Sequence, residues 1–335
     1  MDFFYAFNDV YAPLAGISIF SILENNKSCK SIRFFIVDNG ISEKNRNKIE
    51  NIINAKGRKV SFYEMPNLTG VLGEQVDIGR WNINVYSKLF VGSILPQDVH
   101  KVISIDCDTV VVKSIEDLWD TNISKYLVAG VNEPMSKYYR RYLGKNDSDY
   151  YLNSGLLMFN VDAIRKEQFE KVIQIGMKKY GGNLQYLDQD LINAIVPQNR
   201  IFALSPKFNA ITPIFCCEYG ELLKVRRVSN YYSKKEFLEA KHTPSIIHFT
   251  TFFMNDLRPW FEGSNHPKLG EYMRYKMSSP WSDEKPWKDK RKGTAKLKAS
   301  LISWLPRFAK CQISSVLHGV VVPKRNLRKI CIKEQ

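Results

Sequence analysis

The sequence predicts an α/β fold built around a mostly parallel central sheet. Two observations predict it. From Phe3 to Val112 strand patterns alternate with helix patterns, and strands joined by helical crossovers lie parallel. The run Lys101 to Ile115 (KVISIDCDTVVVKSI) has the β-branched composition of a strand covered on both faces, with no clean alternation. A chain of 335 residues, 44% hydrophobic and 13% aromatic, can fold around a sizeable core.

Phe3 to Phe7 is a short apolar strand, and Tyr11 to Asn25 repeats Leu14, Ile17, Ile19, Ile22 and Leu23 at helical spacing. Ile32 to Val37 is the second strand. Ser42 is a candidate N-cap for a helix over Ser42 to Ala55, and Val60 to Tyr63 is the third strand. Ile83 to Phe90 is expected to be helical, and Asp117 to Asp120 a turn or a single helical turn. Leu127 to Val131 and Tyr150 to Val161 follow as strands, the second interrupted by Asn153, Ser154 and Gly155. Asp162 to Tyr180 and Asp188 to Ile195 read as helices, and Ser245 to Phe249 as a strand carrying His248. No repeat and no glycine-rich phosphate loop is present in the sequence.

The Asp106-Cys107-Asp108 triplet is expected at the end of its strand. Ligands of open parallel sheets bind at the carboxyl ends of strands, and two carboxylates two positions apart share a side and can share a divalent cation. Such triplets also form Asx turns and caps, His248 in IIHF also has an ordinary reading as a core histidine, and Asp188 and Asp190 as first-turn acids. The six cysteines include no CxxC pair, which supports neither a zinc site nor a disulfide framework. The opening MDFFYAF lacks the pattern of a secretion signal. A cytoplasmic, reduced protein is expected.

The formal net charge of +15 is concentrated in one place. From Lys285 onward there are 14 Lys and Arg against two Asp and Glu, so the body is nearly neutral and nucleic acid is not an expected partner. Basic residues alternate there with Leu297, Leu301, Ile302, Trp304, Leu305 and Phe308, on a helix that Pro306 must bend or stop. Ile313 to Val322 is too short to span a bilayer, which needs about 20 residues. The expected division is 1–265 as a catalytic domain and 266–335 as a basic, aromatic region. That region is expected to lie on an anionic membrane surface, peripheral at the inner face of the cell membrane.

Several separated stretches together resemble glycosyltransferase family 8, most closely its bacterial lipopolysaccharide galactosyl- and glucosyltransferases. They are Ala6 to Asn25 (AFNDVYAPLAGISIFSILEN), Ile41 to Arg46, IDCDTVV with the later LWDT, Tyr150 to Asn160 (YYLNSGLLMFN), Leu184 to Asn193 (LQYLDQDLIN), Phe208-Asn209, and IIHF followed by Arg258-Pro259-Trp260. The resemblance runs from Met1 to about Pro259. It implies a Rossmann-like, nucleotide-sugar-binding fold of the glycosyltransferase A type and a retaining reaction. It further implies that Asp106, Asp108 and His248 ligate Mn2+, with Mg2+ as the alternative, against the phosphates of a UDP-sugar; two hard oxygens and an imidazole suit that ion.

By the same resemblance, Asp188 and Gln189 lie beside the anomeric carbon, and Asn153 and Glu133 near sugar hydroxyls. Lys88 and Arg258 contact phosphate or sugar oxygens. Ala6, Phe7, Asn8, Asp9, Tyr11, Cys107 and Ser154 complete the donor site. The chain departs from the family's usual residues at Asn8 (Asp), Val10 (often Asn), Lys88 (Arg) and Glu133 (Asp). The implied activity is transfer of galactose or glucose from a UDP-hexose to a saccharide or lipid-linked acceptor. The competing readings are a non-catalytic membrane-surface binding protein that keeps the fold, and a metal-dependent nucleotidyltransferase, which leaves His248 and the LDQD segment unexplained.

Overall fold

A computed structural model describes residues 1–64, 83–180, 184–253, 257–291, 293, 302 and 304–331. Seven strands form the main sheet: β1 (Asp2–Phe7), β2 (Arg33–Asp38), β3 (Lys59–Glu64), β4 (Lys101–Ile105), β6 (Val128–Asn132), β7 (Leu152–Asn160) and β8 (Ile201–Leu204). Their order is β3-β2-β1-β4-β7-β6-β8. Helices α1 (Ala12–Asn25) and α2 (Glu43–Asn54) make the first two crossovers, and the side chain of Ser42 caps α2 by accepting from the Asn45 N–H.

The sheet is mixed. β1, β2, β3 and β4 run parallel, as do β6 and β8, but β7 is antiparallel to both β4 and β6. Both faces are covered, so β1 divides its side chains between two cores. Phe3 and Tyr5 join α1 on one face, and Phe4 joins Tyr86, Leu89 and Phe159 on the other. A second sheet, in the order β5-β10-β9, consists of β5 (Thr109–Val111), β9 (Ala210–Ile211) and β10 (Ile246–His248).

The expected helix over Ile83–Phe90 is a 3-10 helix. The expected helix from Asp162 to Tyr180 is two, Val161–Lys166 and α3 (Phe169–Tyr180), because Gln168 takes a left-handed conformation, φ 51°, between them. Three further helices concern the site: α4 (Leu187–Ile195), α5 (Tyr219–Arg226) and α6 (Leu269–Ser278). Residues beyond 265 are continuous with the first core, where Tyr272, Tyr275 and the fully buried Trp281 pack with α1 and β1.

Ile302 and Trp304 are helical, the helix breaks at Leu305 and Pro306, and a new one, α7 (Arg307–Val316), starts directly after the proline and continues through a π-turn at Leu317–Val321 into α8 (Val322–Cys331). Proline suits a helix start, where its missing N–H costs nothing. These helices pack on the body. The Arg307 guanidinium forms an ion pair with Glu221 at 2.6 Å and donates to the Cys216 carbonyl, Arg227 donates to Ser315, and Asn326 donates to Gln185. Trp304 and Phe308 remain 86% and 75% exposed. Leu297 and Leu301, expected on the same apolar face, lie outside the described residues. Among the described residues no helix is long and apolar enough to cross a membrane.

Candidate active site

The site lies at the carboxyl ends of β1 and β4, which are parallel neighbours. β4 ends at Ile105, the next three residues are the acidic triplet, and the chain then enters β5. Asp106 is fixed from the backbone, its N–H donating to the Gly155 carbonyl at 2.9 Å. β10 runs antiparallel to β5 with His248 opposite Thr109, which delivers the imidazole to Asp108. One carboxylate oxygen each from Asp106 and Asp108 and a ring nitrogen of His248 lie within 4.8 Å of one another.

The imidazole is oriented by a chain of amides. Asn209 donates from Nδ2 to Asn153 Oδ1 at 2.8 Å, so its Oδ1 faces His248 Nδ1 at 3.0 Å and accepts the proton there. Nδ1 therefore carries a hydrogen, and Nε2, 3.2 Å from Asp108 Oδ1, is the atom free to ligate. Burial opposes charge on this imidazole, but the neighbouring Asp108 outweighs it and raises the pKa. The Asp108 carboxyl is itself held down at about 2: burial raises it, and His248 and Arg258 more than compensate. Arg258 Nη1 donates to Asp108 Oδ2 at 2.9 Å, and its Nε is buried without a partner among the described residues.

Lys88 ties the Asp106 carboxylate to α4. Its Nζ lies 2.6 Å from Asp106 Oδ1 and 3.1 Å from the Ser154 carbonyl. It also makes an ionic contact of 3.4 Å with Asp188 Oδ2, an atom with no other hydrogen-bond partner among the described residues. Burial raises the Asp188 pKa and Lys88 limits the rise.

Gln189 accepts from the Ser154 N–H at 3.0 Å and donates from Nε2 to Glu133 Oε2 at 2.8 Å and to the Tyr151 hydroxyl at 2.9 Å. Glu133 Oε2 also accepts from Asn153 at 2.9 Å. The amide side chains are thus fixed in one orientation each, with no free flip. Asp190 turns away from the cavity: it accepts from the hydroxyls of Tyr139 and Tyr151 and the N–H of Tyr186, and burial pushes its pKa up to about 6.

Two cavities meet at this centre. One, of about 510 Å³, runs past Ala6, Phe7, Asn8, Tyr11, Lys88, Cys107, Asp188 and Arg258. The other, of about 420 Å³, is lined by Glu133, Asn153, His248, Arg226 and, from the C-terminal helices, Ser314 and His318. Asp106, Asp108, Ser154, Gln189 and Arg258 line both. Of the residues expected around the donor, Asp9 lines neither. Its Oδ1 accepts from the Ser42 N–H and Asn45 Nδ2, both at 2.8 Å, and those bonds hold its pKa low. Asn209, Tyr151 and Arg226 were not among the expected site residues, although the Phe208-Asn209 pair stands in the resembling stretches.

The donor set fits a divalent cation on its own chemistry: two hard carboxylate oxygens, an imidazole nitrogen with its tautomer fixed, and an open cavity on each side.

The family model for glycosyl transferase family 8 matches residues 2–263. General stress protein A of Bacillus subtilis is 27% identical over 278 residues, covering 82% of this chain and 92% of that protein. A lipopolysaccharide 1,2-glucosyltransferase of Escherichia coli is 25% identical over 282 residues, covering 82% and 77%. In structure the chain resembles the galactosyltransferase LgtC, solved with donor and acceptor sugar analogues, with a TM-score of 0.70 at 22% identity over 84% of this chain and 96% of that one. With the model spanning the sheet, the acidic triplet and His248, the chain belongs to glycosyl transferase family 8.

Proposed function

We propose that the protein transfers galactose or glucose from a UDP-hexose to a hydroxyl of a saccharide or lipid-linked acceptor, with retention of anomeric configuration. One observation carries this reading: Asp106 and Asp108, on the wall shared by two cavities, converge with His248 from the smaller one, so that one metal centre would stand between donor and acceptor. Asp106, Asp108 and His248 would hold Mn2+, or Mg2+ in its place, which supplies Lewis-acid neutralisation of the diphosphate when bound. The larger cavity takes the donor, with Tyr11 and Asn8 beside the nucleoside. Arg258, whose Nε lacks a partner among the described residues, faces the phosphates.

Double displacement requires a carboxylate against the anomeric carbon. Gln189 is an amide, and the Asp188 carboxylate is held in an ionic contact of 3.4 Å with the Lys88 ammonium, which blunts it as a nucleophile. A front-face reaction suits these residues better. The departing UDP oxygen takes the acceptor's proton, while the Gln189 carbonyl and the Asp188 carboxyl lie against the positive charge at the anomeric centre. Glu133 and Asn153, bonded to one another, orient sugar hydroxyls.

The test is UDP release from a panel of nucleotide sugars, with Mn2+ or with EDTA, for the native protein and Asp108→Ala. Metal-dependent release from one UDP-hexose, lost in the variant, is the expected result; no release from any donor, with or without saccharide acceptors, contradicts the reading. An isolable glycosyl adduct on Asp188 contradicts the front-face route alone. Trp304 and Phe308, exposed among the basic residues of the C-terminal region, support a peripheral seat on an anionic inner membrane face.

A further inference from the structure

The acceptor-side cavity contains a guanidinium that nothing among the described residues neutralises. Arg226 ends α5, where a basic residue ordinarily serves the helix dipole from solvent. Instead it lines the cavity, half-buried, its guanidinium 5.5 Å over the Phe252 ring and its Nε buried without an acceptor. Among the described residues none accepts a hydrogen bond from the Arg226 guanidinium or pairs with its charge.

The acids that line the same cavity are already matched: Asp106 by Lys88, Asp108 by Arg258 and His248, and Glu133 by the amides of Asn153 and Gln189. The Thr250 hydroxyl, on the same wall, is likewise buried without a partner among the described residues. A buried donor with no acceptor is a standing cost that a complementary ligand removes.

The wall beside Arg226 is built by the C-terminal helices. Arg227 Nε donates to Ser315 Oγ at 2.9 Å, Ser315 Oγ donates to the Lys224 carbonyl at 3.1 Å, and a Cβ at Gly319 would come within 2.9 Å of Arg227 Cδ. This seat places Ser314 and His318 in the cavity, with the His318 ring against Phe253 at 5.8 Å. Burial, with Arg226 nearby, lowers the His318 pKa, so a neutral imidazole faces the cavity and can bond a sugar hydroxyl.

We propose that the acceptor is an anionic saccharide, bearing a carboxylate or a phosphate, whose charged group is bound by Arg226 with Ser314 and His318 completing the subsite. This rests on the transferase reading above. A guanidinium presents paired donors that match either anion, and a cavity of about 420 Å³ has room for a short saccharide.

The test is binding to the full chain, with Mn2+ and UDP present to fill the donor side, using glucuronic acid, glucose 6-phosphate and glucose as probes in saturation-transfer NMR titrations. One or both anionic sugars are expected to bind at least about tenfold more tightly than glucose, with the preference shrinking to within about twofold in Arg226→Met. Preference for glucuronic acid alone identifies a carboxylate, and for glucose 6-phosphate alone a phosphate. Equal binding of all three by the unaltered protein overturns the proposal, as does a preference that survives in Arg226→Met. If Arg226→Met does not melt cooperatively, Arg226→Gln replaces it. The readout needs no turnover: failure of the donor panel refutes transfer, whereas transfer to a neutral acceptor without anion preference refutes this inference alone.

Discussion

Gly155 shows how a single position can set the candidate metal ligands. A Cβ there would lie 2.0 Å from His248 Cε1 and 2.9 Å from Asn153 Oδ1, and the same residue's carbonyl holds the Asp106 N–H. Gly155→Ala must therefore push the imidazole off its bond to Asn209. The expected outcome is at least a tenfold weaker Mn2+ affinity by titration calorimetry with the fold retained, and unchanged affinity would show that His248 is not a ligand. The sequence made the triplet and His248 visible because each sits in a short apolar run whose strand character is local. It did not reveal Asn209 as the residue that fixes the imidazole, since that role exists only once β9 and β10 pair and bring Asn153 alongside. Asp190 was legible as a first-turn acid, and it does accept from the Tyr186 N–H. Its two tyrosine partners come from 51 and 39 residues away and have no local signature.

Among the elements, the segment after residue 265 is where composition and packing part company. Its charge and aromatic content suggested a surface region, yet Trp281 is fully buried against Gly16 of α1, where a Cβ would meet the indole at 2.1 Å. The indole N–H donates to Asn45, which in turn donates to Asp9, so α1, α2 and the loop after β1 are clamped together. Trp281→Ala is expected to cost roughly 3–5 kcal/mol in urea denaturation, as for other large buried aromatics; a loss under 1 kcal/mol would mean that the segment is not part of the core. His266, at the entry to α6, gives this region a pH dependence. Its Nδ1 accepts from the Lys268 N–H and its Nε2 donates to Thr212, so the neutral ring is the bonded one, and burial lowers its pKa to about 4. An unfolded histidine titrates near 6.5, so the unfolded chain binds the extra proton first. The associated stability, at most about 3 kcal/mol, is complete above pH 6.5 and lost as pH falls toward 4. Asp190, raised to about 6, acts in the opposite sense between pH 4 and 6. The check is therefore a comparison: between pH 7 and 5 the unaltered protein should lose more stability than His266→Gln, which keeps a donor toward Thr212 but does not titrate. Equal losses would contradict the assignment.

For the whole molecule, the C-terminal helices have two faces with different uses, and one truncation separates them. The inner face packs on the enzyme body: Arg307 on Glu221, Ser315 on Lys224 and Arg227, and Ser314 and His318 in the smaller cavity proposed for the acceptor. The outer face exposes Phe308, Val316, Leu317 and Val321, after the exposed Trp304. A cut at residue 285 would remove Trp287 from its contacts with Trp260 and Phe261, so the informative cut falls after residue 303. The larger cavity, proposed for the donor, has no lining residue beyond Arg258, and its water-dependent UDP release should survive this truncation within about threefold. Attachment to vesicles containing anionic lipid should fall, because each basic residue near such a surface contributes about 1 kcal/mol and the apolar anchors leave with them. Acceptor affinity should weaken as well, since one wall of the second cavity is gone. Sedimentation with vesicles, donor hydrolysis and acceptor titration on the one truncated chain read the three effects separately. Equal vesicle binding before and after the cut would exclude the outer face as a membrane contact, and unchanged acceptor affinity would exclude the inner face from acceptor recognition.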